Sequence, residues 1–181
     1  MNPNKRRIKE QKRISNIKYL RFAFIGEQKN NGLKSLPLLT NLRHLNAAGC
    51  YLVDHDLVTI GQVKSLELLD LDLTDITDDG LQHLSSLTNL SELRLKDNPQ
   101  LTDDCVDYLI NLENLKLIHI ANTSITINGL KKMVSHLNLE TIIIDSDFNN
   151  DIDELLRITE KYPKLTIIFK GRGDISNGKI D

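Results

Sequence analysis

The stretch Leu66-Glu-Leu-Leu-Asp-Leu-Asp-Leu-Thr-Asp-Ile-Thr-Asp-Asp-Gly-Leu-Gln-His-Leu84 changes its periodicity halfway along. Leu69-Asp-Leu71 alternates apolar and polar, the period-2 signature of a short strand, whereas Leu81-Gln-His-Leu84 has the spacing of one helical face. Between them Thr77 stands at the N-cap position of the helix, and Asp78 and Asp79 sit in its first turn, where acidic groups complement the dipole. A strand and helix this short cannot bury their leucines alone, so the stretch needs copies of itself as neighbours.

The copies are present. From Val63 the apolar positions are Val63, Leu66, Leu69, Leu71, Ile76, Leu81 and Leu84, and the series restarts 24 residues later at Leu87. It continues as Leu87, Leu90, Leu93, Leu95, Leu101, Val106 and Leu109, with one residue inserted around Pro99, and then from Leu112 to Met133. Upstream it runs from Leu39 to Ile60, preceded by a degenerate 25-residue unit that begins at Ile14. A last unit starts at Leu137 and reaches Leu156, and Pro163 to Lys170 reads as one more strand closing the stack. Leu93-Arg-Leu95 and Ile118-His-Ile120 repeat the alternation, Leu130-Lys-Lys-Met133 the helical spacing, and Thr102 and Thr126 the N-cap.

The pattern LxxLxxLxLxx(T/N/C)xxIT(D)xGLxxL resembles leucine-rich repeats, most closely the cysteine-containing subclass found in F-box proteins and in bacterial GALA-type proteins, over residues 14 to about 170. The resemblance implies an α/β solenoid of right-handed, horseshoe form with about six repeats, a parallel sheet on the concave face and helices on the convex face. The expected organisation is a basic N-terminal cap or tail (1–13), the repeat domain (14–170) and a flexible C-terminal tail (171–181). Gly32, Gly80 and Gly129 share one place just before the helical Leu, where a missing Cβ permits close approach of backbone; Cys105 and Asp56 take that place in two other units. Cys50, Thr74, Asn98 and Thr123 fall eleven residues after their unit starts, where the family has a small polar residue that bonds the neighbouring turn. Cys50 is accordingly expected to be structural, since no basic group is placed to activate its thiol.

Composition bounds the function. The chain has 181 residues, enough for a single core, and aromatics make up only 4%, so the core must be aliphatic. The formal charge of −2 gives no global reason to expect nucleic-acid or membrane binding. Its distribution is uneven, with six basic side chains and one Glu in residues 1–13, and eight acidic ones against Lys64 alone in residues 54–79. No apolar leader follows Lys5-Arg6-Arg7, and no run approaches the roughly 18 apolar residues of a membrane span. Two cysteines without CxxC spacing fit a reducing compartment, and a cytoplasmic monomer is expected.

Sites for chemistry are not evident. The five histidines lack HxxxH or HExxH spacing, so no metal is expected, and the run Asp70 to Asp79 lacks the Gly and terminal Glu of a calcium loop. There is no GxSxG, P-loop or GxGxxG, so neither catalysis nor a cofactor is expected. Asp70 and Asp72 share a face as a carboxylate pair, a pattern more typical of a solvated or partner-binding surface than of catalysis. Arg172-Gly-Asp174 matters only outside cells.

The concave positions follow from the alternation: Tyr19 and Arg21; His44 and Asn46; Leu68, Asp70 and Asp72; Glu92, Arg94 and Lys96; Leu117 and His119; Ile143 and Asp145. Charge for orientation beside exposed aliphatics is what a protein-binding surface requires, and the bland alternative is a merely solvent-facing sheet. The expected function is a non-enzymatic protein–protein interaction module binding an unknown protein partner through this face. One alternative is a bacterial immunity protein neutralising a cognate toxin, a basic protein that suits the acidic middle. Another is the substrate-recognition subunit of a ubiquitin-ligase-type complex, ranked last because only 13 residues precede the first unit, leaving no room for an F-box. The basic N-terminus reads first as a solvated cap, then as an anionic-surface tether or a nuclear signal.

Overall fold

The computed structural model describes residues 16–22 and 33–181. The segment 1–13, Ile14 and Gly32 lie outside the described residues.

One short strand per unit builds the sheet. β1 (Tyr19–Arg21), β2 (His44–Asn46), β3 (Leu68–Asp70) and β4 (Glu92–Arg94) lie side by side and parallel. β5 (Asn98–Thr102) leaves the sheet, β6 (Leu117–His119) rejoins it, and β7 (Thr123–Ser124) pairs with β5 in a separate two-stranded ribbon. β8 (Thr141–Ile144) and β9 (Thr166–Phe169) extend the parallel series. The register is constant: Leu20, Leu45, Leu69, Leu93, Ile118, Ile142 and Ile167 are successive partners across the sheet. A one-residue slip would turn the whole row out of the core, which is why the alternation holds this register so firmly.

Each strand returns through a helical segment: α1 (Asp54–Ile60), α2 (Asp78–Leu81), α3 (Val106–Leu109), α4 (Ile127–His136) and α5 (Ile152–Lys161). The early segments are a turn or two long, several completed by 3-10 turns such as Gln82–Leu84 and Asp103–Cys105, because a unit of about 24 residues leaves no room for more. Their inward leucines join the strand row in one continuous core, in which Leu57, Leu84 and Leu130 are fully buried.

Two sets of side-chain bonds tie the units together. Asn98 is fully buried; its Nδ2 donates to the carbonyls of Leu71 and Leu95 at 2.9 Å, and its Oδ1 accepts from the amide and the hydroxyl of Thr74 at 2.9 and 3.1 Å. The Thr123 hydroxyl donates to the Ile120 carbonyl and accepts from the Ile125 amide, both in its own turn, and Cys50 donates weakly to the Ala48 carbonyl at 3.9 Å. On the helical side, Asp54, Asp78 and Asp103 each accept both the amide and the hydroxyl of the threonine that opens the next unit's helix: Thr77 at 2.7 Å, Thr102 at 2.8 and 2.6 Å, and Thr126 at 2.8 and 2.6 Å.

This clasp corrects two expectations. Thr102 and Thr126 do cap their helices, accepting from the amides of Asp104 and Asn128 while donating their hydroxyls to the clasp, but Thr77 makes only the clasp bond and no cap bond. The recurrent glycine makes room for a carboxylate rather than for backbone: a Cβ on Gly80 would stand 2.3 Å from Asp54 Oδ1, and one on Gly129 2.2 Å from Asp103 Oδ1. Cys105, in the same place, is fully buried beside Asp78, and burial together with that carboxylate pushes its thiol well above the usual range.

The expected tail is also corrected. Residues 173–180 form a hairpin, β10 (Gly173–Ser176) and β11 (Lys179–Ile180), whose first strand pairs antiparallel with β9. Ile175 is fully buried against the sheet, paired with Ile167, and the left-handed residues Asn177 (φ 48°) and Gly178 (φ 72°) make the turn. The hairpin thereby covers the edge of β9 and leaves a two-residue strand as the new edge.

Candidate functional site on the open face of the sheet

The face of the sheet away from the helices carries three rows of side chains. The first is Tyr19, His44, Leu68, Glu92, Leu117, Thr141 and Thr166. The second is Arg21, Asn46, Asp70, Arg94, His119, Ile143 and Ile168. The third, just beyond the strand ends, contains Asp72, Lys96 and Asp145; the backbone bonds Gly49 N to Asp72 O and Leu73 N to Lys96 O continue the register there. The sequence-derived residues therefore do share one face. Ile168, on the last parallel strand, belongs with them and was legible from the alternation of Pro163 to Lys170.

Exposure on this face is uneven. Tyr19 is 68% exposed and stacks edge-on against His44 at 4.5 Å. Leu68, Leu117 and Ile143 are half-buried. Leu68 and Leu117 are separated by Glu92, so they do not form a continuous apolar row. Ile143 neighbours Ile168 directly. Asp70 and His119, expected in the open, are only 7% and 5% exposed. Longer neighbours cover them, an effect that alternation alone does not report.

The charged centre lies on β3, β4 and β6. Asn46 Nδ2 donates to Asp70 Oδ2 at 2.6 Å, and the amide of Asp72 donates to Asp70 Oδ1 at 3.1 Å. Asp72 Oδ1 accepts the amide of Lys96 at 2.8 Å. Burial, with the Asp70 carboxylate beside it, still pushes the Asp72 carboxyl up to about 6. Arg94 is bound by Glu92, and Lys96 by Asp97 at 2.7 Å. His119 has both ring nitrogens buried without a hydrogen-bond partner. Burial first, then the cations Lys170, Arg94 and Lys96, push it down to about 4, so it is neutral at pH 7.

At the rim, the third residue after the strand takes a left-handed conformation in successive units: Gly49 (φ 68°), Leu73 (φ 54°), Asp97 (φ 58°) and Asn122 (φ 53°). Leu is the one poor fit among them, and it is 62% exposed. Among the described residues no three His, Cys, Asp or Glu side chains are grouped to hold a metal ion, and no helix is long and apolar enough to cross a membrane.

The architecture matches solved structures. The chain is similar to an internalin, InlF, from Listeria monocytogenes, with a TM-score of 0.55 and 18% identity over 88% of this chain. It is similar also to internalin C2 of the same organism, with a TM-score of 0.57 and 23% identity over 87% of this chain. The fold is that of these leucine-rich repeat proteins. The chain spans 48% of the InlF structure and 73% of the internalin C2 structure. No family model and no curated protein sequence matches the chain.

Proposed function

We propose that this chain is a non-enzymatic interaction module that binds a partner protein through the open face of its sheet. The observation that carries the reading is the mixture on that face. Half-buried Leu117, Ile143 and Ile168 share the face with the carboxylates of Asp70 and Asp72, two, three and four strands away, on strands whose positions are fixed by the core and by the Asn98 and aspartate–threonine bonds behind them. Apolar area gives affinity and charge gives orientation, and a rigid support lowers the ordering cost of binding. The internalin-like leucine-rich repeat fold supports the same reading.

A second reading, an immunity protein that caps a basic toxin, is favoured by the acidic C-terminal end of β3, where Asp70 and the following Asp72 stand together. A cytoplasmic location would suit it. The membership of a GALA-like or F-box repeat subclass, with its ubiquitin-ligase role, is a third and weaker reading.

The test is affinity capture from the native organism's lysate with the wild type beside the Asp72→Arg/Arg94→Glu variant, with bound proteins identified by mass spectrometry. A partner held by the wild type and lost from a folded variant is the expected result. A partner held equally by both would move the interface off this face.

A further inference from the structure

In the middle units, the turn that joins a helix to the next strand is a four-residue step with an aliphatic residue at each end: Val63 to Leu66, Leu87 to Leu90 and Leu112 to Leu115. Its third residue ties it to the turn before. The Ser65 hydroxyl donates to the Leu42 carbonyl at 2.7 Å, Asn89 Nδ2 to the Lys64 carbonyl at 2.8 Å, and Asn114 Nδ2 to the Thr88 carbonyl at 2.6 Å. The unit that starts at Leu137 has lost one residue of this turn, which reads Leu137-Asn138-Leu139, and there the series of ties stops. The amides of Asn138 and Leu139 donate to no acceptor among the described residues. Lys164, third residue of the following four-residue turn (Tyr162 to Leu165), makes no bond back to the shortened one.

The lost residue leaves an open hollow of about 590 Å³ between the shortened turn and the next, a volume usual for a ligand site. Its floor is aliphatic, with Val134, Leu137, Leu139 and Leu165 only 2–6% exposed. Its rim is cationic, in a chain whose formal charge is −2. Lys116 and Glu140 pair with each other at 3.5 Å, which leaves Lys161 and Lys164 without a carboxylate partner among the described residues. Glu160, next to Lys161 in the chain, stands against the hairpin turn at Gly178 instead. The hollow continues between α4 and α5 as a second one of about 270 Å³, with Lys161 and Tyr162 common to both. There Glu154 is already held by Lys131 at 2.7 Å and Arg157 at 2.5 Å.

We propose that this hollow binds an extended acidic segment of a partner protein, with an aliphatic side chain on the leucine floor and carboxylates on Lys161 and Lys164. The site lies where helices end and strands begin, so it does not depend on what the open face binds. Carboxylates answer the two unpaired ammonium groups through charge-assisted bonds, and the free amides of the shortened turn suit the carbonyls of an extended chain. A lysine near a helix C-terminus also complements the helix dipole, which accounts for Lys161 at the end of α5 but not for Lys164 three residues beyond it. Two continuous hollows fit a segment of chain better than a small anion. Nucleic acid is the poorer occupant, because one half-buried ring, Tyr162, and two free ammonium groups make no stacking track.

A phage-displayed library of random linear peptides, panned against the immobilised full-length chain, tests the site without the native partner, and fluorescence anisotropy gives the affinities of the selected peptides. Lys161→Glu/Lys164→Glu reverses the rim. Lys18→Glu/Lys34→Glu makes the same change of net charge at exposed positions on the other end of the stack. A third variant carries one asparagine inserted after Asn138, which restores the four-residue turn and fills the hollow. Each is checked for folding by its melting curve, and if the inserted chain does not fold, the two charge reversals decide.

The expected result is a family of peptides with acidic residues beside an aliphatic one. Lys161→Glu/Lys164→Glu and the inserted chain should bind them about tenfold or more weakly, and Lys18→Glu/Lys34→Glu as tightly as wild type. Replacing their acidic residues by Asn or Gln should cost as much. The proposal is overturned if no acidic peptide is selected, if both charge reversals weaken binding equally, which would reflect net charge alone, or if neither does. It is overturned also if a folded inserted chain still holds the peptides. Sedimentation of the chain alone completes the test: a concentration-dependent dimer abolished by Lys161→Glu/Lys164→Glu would place a second copy in the hollow instead of a partner's acidic segment.

Discussion

Asp72→Asn should make this protein more stable at neutral pH, although it removes a charge from between two cations. The Asp72 carboxyl is moved from its ordinary 3.8 to about 6 by burial and by Asp70, against the opposing pull of the Lys96 amide, Arg94 and Lys96. At 1.36 kcal/mol per pH unit, ionising it in the fold costs about 3 kcal/mol more than in the unfolded chain. Asparagine carries no such cost and retains an oxygen for the Lys96 amide, which lies 2.8 Å away. Allowing for partial solvent relaxation around a side chain that is 21% exposed, the gain is about 1–3 kcal/mol at pH 7.5. In a domain of this size that raises Tm by about 2–4 °C per kcal/mol. The sign with pH follows from the raised value. The folded state holds the proton between 3.8 and about 6, so Asp72's unfavourable contribution is present above 6 and vanishes below 3.8. Urea unfolding of wild type and variant at pH 7.5 and 3.5 measures it. A variant no more stable than wild type at pH 7.5, or a gap of equal size at both pH values, would refute the electrostatic account of this face.

Other substitutions probe the rest of the scaffold. Leu93→Ala, at a fully buried site in the central row, should cost about 2–5 kcal/mol, and hydrogen exchange should show protection lost in the units on either side as well. Asp78→Ala removes both acceptors from Thr102 and should cost about 1–3 kcal/mol, with a coupling to Thr102→Val in a double-mutant cycle; additive losses would mean the clasp is incidental. Leu73→Asn places at φ 54° the residue type that Asn122 already uses at φ 53°, and should stabilise by about 0.5–1 kcal/mol in chemical denaturation. A loss there would show that Leu73 makes a packing contribution.

The repeat was legible because it is written in leucines at fixed spacings, and the burial of Leu45, Leu69, Leu93 and Ile118 depends only on that spacing. The clasps were less legible. Asp78 was read as a first-turn acid of its own helix, yet its carboxylate faces the next unit, since its position on the first turn brings it against Thr102. Ile175 was missed because one inward residue in a short polar hairpin gives no periodicity to count. On the open face, alternation places side chains on the right side of the sheet but is silent about coverage, which depends on the length and direction of neighbours. That is why Asp70 and His119 were expected in the open and are found covered.

The distribution of unfavourable features separates scaffold from surface. Behind the sheet, buried polar groups are met: Asn98 satisfies backbone on two turns, and each clasping aspartate accepts a pair of donors. On the open face and its rim, three departures from that economy lie close together in the chain order and the sheet: a carboxyl held near 6, an imidazole with no partner, and an exposed leucine in a left-handed turn directly after Asp72. Each costs stability on its own, and none assists the stacking of units, which the leucine row already secures. Local violations of this kind persist where the surface has a second requirement, and here they concentrate on β3 and the side chain of β6 that leans toward it. If binding is that requirement, the substitutions that stabilise the free chain, Asp72→Asn and Leu73→Asn, are the ones that should weaken the complex. A pair of variants gaining Tm while losing partner would tie the cost to the function; a gain in both would leave the departures as unselected flaws.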